Sequence, residues 1–521
     1  MRVSWLGLAA ATGLAAWTWI WAGSCSGPSQ PESCLTSTEA CPVGTYCDPL
    51  TQRCVDEKLG QAEHCRTAAN CQDSARPLCP AGYCVPCTAV PTAEAADQAC
   101  QALGQARGEP ELRTCVRDGA RKGQCGECRA GSGGAPGFAC NSDGKHPDRP
   151  ICDSGTCRPC QLHRECTESG LCNDGSGLLD ATIFPGIEIG QCASAAQVLF
   201  VDSEHCPPSG IGAEGTRERP FCDLQTAAAH GRYLVVLPRP GPSQPLPYPP
   251  LVLSDGVRRV IVGPGRDAGP LLSSAAVSKA GTALTLVDLE LDSPGSGAAL
   301  SCTAGARLSV IRSIIDLSSK ATVGIDASGC DRIEVAESLV TRSQGPAIRV
   351  AGATKSYRIV NSLFSNNLGP SAIQLSAAAS GQFAFNTLVN NGILSGPLAQ
   401  DGGAVSCEVG GQPLLTDSMI VQNGRKPGSD GRGFPLGTQF LGPCRLQRVV
   451  VGQDAAASSP ADGQAIAAIP DLDSRLRLLD TPNNASCCID KAGPCQDLPT
   501  DFFGAQRPLG KACDIGAHEL R

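Results

Sequence analysis

At 521 residues the chain can hold two or three domains and bury a sizeable core. Its formal net charge of −8 gives a nucleic-acid role no electrostatic support, and an aromatic content of 4% argues against stacking platforms for bases or sugars. Thirty-one cysteines point to an oxidising compartment, because cytosolic reductants would keep so many as thiols. Twenty-one lie between Cys25 and Cys192 and ten between Cys206 and Cys513.

Residues 1–24 read as an export signal. Arg2 supplies a minimal positive start, Val3 to Trp21 an apolar stretch, and Ala22, Gly23 and Ser24 a run of small residues before Cys25. The stretch also has the length of a membrane-spanning anchor, so that alternative stays open. Ala22-Gly23-Ser24-Cys25 resembles a bacterial lipobox, with Ala22 where that family has Leu. The resemblance implies that Cys25 is the lipid attachment site, and Ser26 after it implies the outer membrane or cell surface. Ala22 and Ser24 equally suit ordinary cleavage and secretion. Consuming Cys25 leaves twenty cysteines before residue 195 and ten after, so each group can pair within itself.

Residues 25–195 form a cysteine-rich region, poor in apolar runs and rich in Gly, Pro, Ser and Asp. Cross-links must supply much of its order. It repeats internally: Arg76-Pro77-Leu78-Cys79 with Cys84, Pro86 and Cys87 recurs as Arg149-Pro150-Ile151-Cys152 with Cys157, Pro159 and Cys160, an offset of 73 residues throughout. Cys125-Gly126-Glu127-Cys128 is a shorter echo. The C-x-x-C pairs Cys84/Cys87, Cys125/Cys128 and Cys157/Cys160 suit zinc or redox chemistry in a reducing compartment. After export they suit structural disulfides, and neither a metal nor a cofactor is expected. The modules resemble the short Cys-rich modules of surface lipoproteins of some soil bacteria, which implies a stalk or adhesive spacer.

From residue 196 to 521 the pattern predicts an all-β parallel β-helix with about 24–25 residues per coil. One position steps through Asp288, Arg312, Glu337, Asn361, Asn386, Asp417 and Gln447, at intervals of 24, 25, 24, 25, 31 and 30 residues. A second polar residue and two apolar ones follow in most coils, as in Ser338-Leu339-Val340. Leucine-rich repeats share this period. Against them, a second apolar column runs through Leu300, Ile325, Ile348, Ile373 and Val405, with local period-two alternation. Asn366 and Asn391 fall at matching offsets, as stacked turn amides would. Cys302 with Cys330, and Cys407 with Cys444, lie roughly one coil apart and read as inter-coil staples.

The two ends carry a resemblance. Val198-Leu199-Phe200-Val201-Asp202, then Cys206 and Pro220-Phe221-Cys222-Asp223-Leu224, are similar to the opening of bacterial pectin-lyase-like β-helix proteins. There a strand, a disulfide-closed loop and a short helix cap the first coil, which implies a Cys206–Cys222 bond. Cys513-Asp514-Ile515-Gly516-Ala517-His518-Glu519 resembles the terminal DIGAYE signature of the same group, with His518 in place of Tyr. Cys488-Ile489-Asp490-Lys491-Ala492-Gly493 resembles its CIDAG element, with Lys491 inserted. The resemblance implies a right-handed parallel β-helix with a cap over 198–232 and another over 478–521, and it leaves function open.

For function, Asp288, Glu290 and Asp292 alternate along one predicted strand and form the best carboxylate cluster, with Arg312 and Asp316 on the next coil. The competing reading is a solvated face of cross-coil charge pairs. The longer coils imply Gly-rich loops, one of which carries Arg425, Lys426 and Arg432, a grip for an acidic glycan or plain loop residues. No His lies between His230 and His518, which excludes histidine catalysis within the coils. The leading expectation is a non-catalytic cell-surface lipoprotein that presents the β-helix for adhesion or glycan binding. Its partners would be a polysaccharide or cell-surface component and, through the lipid, a membrane, with no nucleic acid. The alternatives are an extracellular polysaccharide lyase or glycoside hydrolase, and a purely structural envelope protein.

Overall fold

The computed structural model describes residues 71–520 apart from short internal segments, chiefly 129–139, 141–148, 174–186, 237–246, 393–402, 424–438 and 453–463; before residue 71 it describes a single hairpin, Thr45–Asp48 with Arg53–Asp56. Two compact units divide after Gly126. Among the described residues no helix is long and apolar enough to cross a membrane.

Among the described residues the first unit contains one cystine module, and the second opens with a related one. In the first, Cys71 bonds Cys84, Cys87 bonds Cys115 and Cys100 bonds Cys125. In the second, Cys140 bonds Cys157, Cys160 bonds Cys172 and Cys166 bonds Cys192. The order of pairing is the same. So is the antiparallel contact that the sequence repeat aligns, Leu78 with Val85 and Ile151 with Arg158. A buried acceptor is shared as well: Asp97 Oδ1 takes the Cys115 N–H at 2.8 Å, and His163 Nδ1 takes the Cys172 N–H at 3.0 Å. The modules differ between those cysteines. The first inserts a helix, Ala93–Arg107, where a loop-dominated region was expected. Its Ala-rich sequence favours helix, Thr92 caps its start by accepting from Ala95 N, and Gly108 ends it at φ +73°. No C-x-x-C pair closes on itself: Cys125 bonds Cys100 while Cys128 bonds Cys152.

The remainder is a parallel β-helix with three strands per coil. A long strand such as Ala283–Val287 bends into a short one, Glu290–Asp292, and a third, Ala298–Cys302, completes the turn. Each pairs in parallel with its counterparts one coil away, as in Leu284↔Leu308, Leu291↔Ile315 and Leu300↔Ile325. Alternation along these strands sends Leu284, Leu286, Leu291 and Leu300 inward, each at most 1% exposed. The predicted column is continuous, Leu300↔Ile325↔Ile348↔Ile373↔Val405, and burying each such side chain contributes roughly 1.5–3 kcal/mol.

The bend between long and short strands holds one left-handed residue per coil: Asp288, Arg312, Glu337, Asn361, Phe385, Asp417 and Arg448, all with φ between +46° and +53° except Phe385 at +57°. In the two later coils this corrects the sequence column, which ran through Asn386 and Gln447. Asn386 sits one place further on, in a ladder where each backbone N–H donates to a side chain of the next coil: Ser313 to Ser338, Ser338 to Ser362, Ser362 to Asn386, and Asn386 to Ser418. The steps are 25, 24, 24 and 32 residues. A second ladder runs through Ser343, Asn367, Asn391 and Asn423, so the stacked amide beneath Asn391 is Asn367, and Asn366 is exposed beside it. Buried backbone groups at a bend must find partners, and these short polar side chains supply them.

Both ends of this unit fold back over the bend. At the start, Cys206 bonds Cys222 and closes the loop before the helix Leu224–His230, which Asp223 caps through Thr226 N. Arg259 is buried beneath that helix and donates to Ala228 O. The second cystine module then lays Leu171, Ile187 and Ala193 on Val260, Val262, Val287 and Ile311. At the other end, Leu498 and Cys513 pack on Ala336, Val360, Ala384 and Phe385, and Phe502 and Ala517 pack on Leu363. The terminal signature is the clasp of this cover. Arg507 donates to Gly516 O and Asn361 Oδ1, Asp514 accepts from Asp490 N and Leu520 N, and Glu519 accepts from Leu509 N and Asp514 N. Gly516, at φ +96°, donates to Asp417 O, and a Cβ there would lie 2.8 Å from Thr387 and Met419.

Candidate functional site

The acidic cluster is not arranged as the alternation predicted. Asp288 lies in the bend at φ +52°, off the strand, and only Glu290 and Asp292 flank the inward Leu291. A two-residue turn here breaks the period-two geometry. Arg312 holds both Asp288 oxygens, at 2.9 and 3.0 Å. His163 of the cystine module approaches the same carboxylate with Nε2 at 3.5 Å, because its Nδ1 is occupied by the Cys172 N–H. Asp292 sits opposite Asp316, which Arg342 engages from the next coil. That hydrogen bond, with smaller help from Asp292 and Glu290, raises the Arg342 pKa against the opposing effect of burial. Arg425, Lys426 and Arg432 lie outside the described residues.

Two other outward faces carry polar side chains. On the third-strand sheet, Ser301, Asp326, Arg349, Gln374 and Ser406 form a register column. Burial pushes Asp326 upward, but hydrogen bonds from Arg349 and Ser328 outweigh it and hold its carboxyl below the usual range. Within this column it is the only carboxylate, so the column lacks the pair that glycoside hydrolysis needs. Arg349→Gln should raise the Asp326 pKa toward or above that of an ordinary aspartate, read by carbon-detected NMR titration; an unmoved titration would contradict the assignment.

The long-strand sheet carries the third face. Its outermost column runs Arg258, Ala283, Arg307, Arg332, Ser356 and Ser380. The neighbouring outward column runs Val260, Thr285, Ser309, Glu334, Arg358 and Gln382. Glu334 and Arg358 pair at 3.0 Å with side-chain exposures of 1% and 5%. Arg307 Nε binds Asp331 at 2.8 Å, and Lys355 binds the same carboxylate at 3.1 Å. Sequence reasoning passed over this face. Its signal was present, since Arg307 and Arg332 each stand five places before the bend residue of their coil, Arg312 and Glu337.

Two sulfur clusters, Cys128 with Cys140 and Cys152, and Cys160 with Cys166 and Cys192, have the closeness of metal ligands. All six are in disulfides, so they offer no thiolate. Cys302 bonds Cys330 and Cys407 bonds Cys444 across coils. An open cleft of about 710 Å³ in the clasp is lined by Pro494, Leu498, Pro499, Pro508, Lys511 and the Cys495–Cys513 bond, with no carboxylate, hydroxyl or free thiol side chain among its described lining residues.

No protein-family model and no curated protein matches the chain. Among solved structures it is similar to the crystal structure of pectate lyase Pel9A, at 13% identity over 64% of this chain and 98% of that one, with a TM-score of 0.28. So slight a superposition leaves the fold resting on the chain's own strand register.

Proposed function

We propose that the protein is a non-catalytic cell-surface protein that presents its β-helix for adhesion or glycan binding. The observation that carries the reading is the engagement of outward carboxylates by arginines of neighbouring coils: Asp288 by Arg312, Asp316 by Arg342, Asp326 by Arg349, Glu334 by Arg358 and Asp417 by Arg448. In Asp288, Asp326 and Asp417 the arginine takes both carboxylate oxygens, which leaves less acceptor capacity for a substrate. The purified, lipid-free protein, screened on neutral and acidic glycans, should bind without forming unsaturated products. Turnover of a polyuronate, abolished by Glu290→Ala, would overturn the non-catalytic reading.

Anchoring through Cys25 is part of the proposal. The twelve disulfides between described residues use twenty-four of the 31 cysteines, and Cys79 is bonded as well. Six remain, Cys25, Cys34, Cys41, Cys47, Cys54 and Cys65, and one of them must partner Cys79. Five is odd, so at least one cysteine in this stretch has no partner within the chain. Acylation of Cys25 accounts for it and would place the protein at the outer membrane or cell surface. Cells fed a fatty-acid probe should yield labelled protein that Cys25→Ser leaves unlabelled; label retained by that variant refutes the anchor.

A further inference from the structure

We infer that Phe503 and His518 form a stacking site for one neutral hexopyranose ring on the C-terminal cover. This rests on the glycan-binding reading and gives it a place and a ligand class. Among the described residues Phe503 is the only exposed aromatic ring, at 39%, while every other described Phe and Tyr is buried or half-buried. A tight turn holds it outside. Asp501, 0% exposed, accepts from Phe503 N at 2.8 Å, Ala505 N at 2.7 Å and Glu519 N at 2.8 Å, and Gly504 closes the turn at φ +84°. The neighbouring Phe502 turns inward and packs with Leu363 and Ala517. A ring fixed in this way loses little freedom when a ligand covers it.

His518 supplies the polar half of the site. Its ring meets Phe503 at 83° with centroids 5.3 Å apart, so the two make a corner. Its Nδ1 accepts the Leu478 N–H at 3.1 Å, which places the proton of the neutral imidazole on Nε2. Burial, the largest influence, holds the His518 pKa below its ordinary value, so the neutral form prevails at pH 7. Of the charged groups that bear on it, Asp501 and Arg507 are buried in the clasp, and Arg477 and Asp473 hold each other at 2.7 Å. A phenyl face beside an uncharged N–H donor matches the C–H face and rim hydroxyls of a pyranose. Size argues against a protein partner. An aromatic side chain covers roughly 150–250 Å². A ring 39% exposed therefore offers under about 100 Å², against about 800 Å² on each side of a stable protein interface.

The test is NMR titration of the folded, lipid-free protein with methyl β-D-glucopyranoside, methyl β-D-glucuronide and cyclohexanol. The glucoside should saturably shift the Phe503 ring and His518 Nε2 signals. The glucuronide should bind no more tightly, and cyclohexanol at least about tenfold more weakly. Phe503→Ala should lower the affinity at least about tenfold, and Phe503→Trp should retain it. Val409→Ala, at a side chain 88% exposed, should change nothing. Glucoside binding that leaves Phe503 and His518 unmoved, or that survives Phe503→Ala, would overturn the stacking site and leave the glycan-binding reading standing. Equal affinity for cyclohexanol would mark a plain apolar patch, and tighter binding of the glucuronide a charged site, and either would overturn the inference. No response to the glucoside would overturn it too, and would reach the wider reading only if the glycan screen were silent as well.

Discussion

Replacing Asn391 with leucine should lower the unfolding free energy by about 4 kcal/mol, far more than its loss of one polar side chain suggests. Asn391 is fully buried in the second ladder. Its Oδ1 accepts from Asn367 N at 3.2 Å and Asn367 Nδ2 at 2.8 Å, and its Nδ2 donates to Phe364 O at 2.8 Å and Asn423 Oδ1 at 2.9 Å. Leucine is similar in size but takes the acceptor from Asn367 N and Nδ2 and a donor from Phe364 O in a dry interior, each unmet group costing roughly 1–3 kcal/mol, while Asn423 Oδ1 keeps the Asn391 backbone N–H. Asn366→Gly is the matched control: Asn366 has φ +57° and is exposed, and glycine accepts that conformation at no steric cost. Urea denaturation should separate the two variants clearly. Comparable midpoints would mean that the amides do not stack.

Arg507→Met should release the C-terminal cover, at a cost of about 4 kcal/mol. Arg507 has no exposed side-chain surface, lies over the Phe385 ring at 5.0 Å, and sits among Glu519, Asp514, Asp501 and Glu337. Methionine keeps the packing volume and removes the only cation in that set. Glu519 and Asp501 are 1% and 0% exposed, so they would be left as uncompensated buried charges. Hydrogen exchange should rise across 498–519 and in the bend residues beneath, while the interior column from Leu300 to Val405 keeps its protection. Unchanged exchange over 498–519 would show that the signature does not act as a clasp. The same cluster carries a pH signature. Burial first of all lifts the Asp514 pKa to about 6, against the backbone hydrogen bonds it accepts. A folded-state pKa above the unfolded value near 3.9 means that its share of stability is complete below about pH 4 and is lost as pH rises through 6. Relative to Asp514→Asn, the native protein should therefore become less stable between pH 4 and pH 7. A constant difference between the two would contradict the assignment.

The coils were legible because a β-helix writes its circumference into the sequence. Ile325, Ile348 and Ile373 recur at the coil period and are stacked in the structure. The bend column slipped by one place at Asn386 because the bend residue there is the apolar Phe385, and at Gln447 because the later coils lengthen, to 32 and 31 residues, and polar neighbours at the bend look alike in one dimension. What the sequence could not convey is which charges meet. Asp288 and Glu290 look like a cluster until Arg312 and Arg342 arrive from other coils. Nor does the local sequence say that His163, 149 residues before Arg312, lies beside both Arg312 and Asp288. The terminal motif was recognisable by resemblance, but its work is non-local: Thr500 meets Asn361 across 139 residues, and Ala517 meets Thr387 across 130.

The measurement that bears most directly on the stacked coils is disulfide mapping of the unreduced protein by mass spectrometry. Cys302 and Cys330 are 28 residues apart and Cys407 and Cys444 are 37, and each pair is brought within bonding reach by coils wound at the register described. Peptides linking exactly these two pairs are the expected result. Any of the four cysteines found free, or joined to another partner, would contradict the register on which the fold and both binding proposals depend.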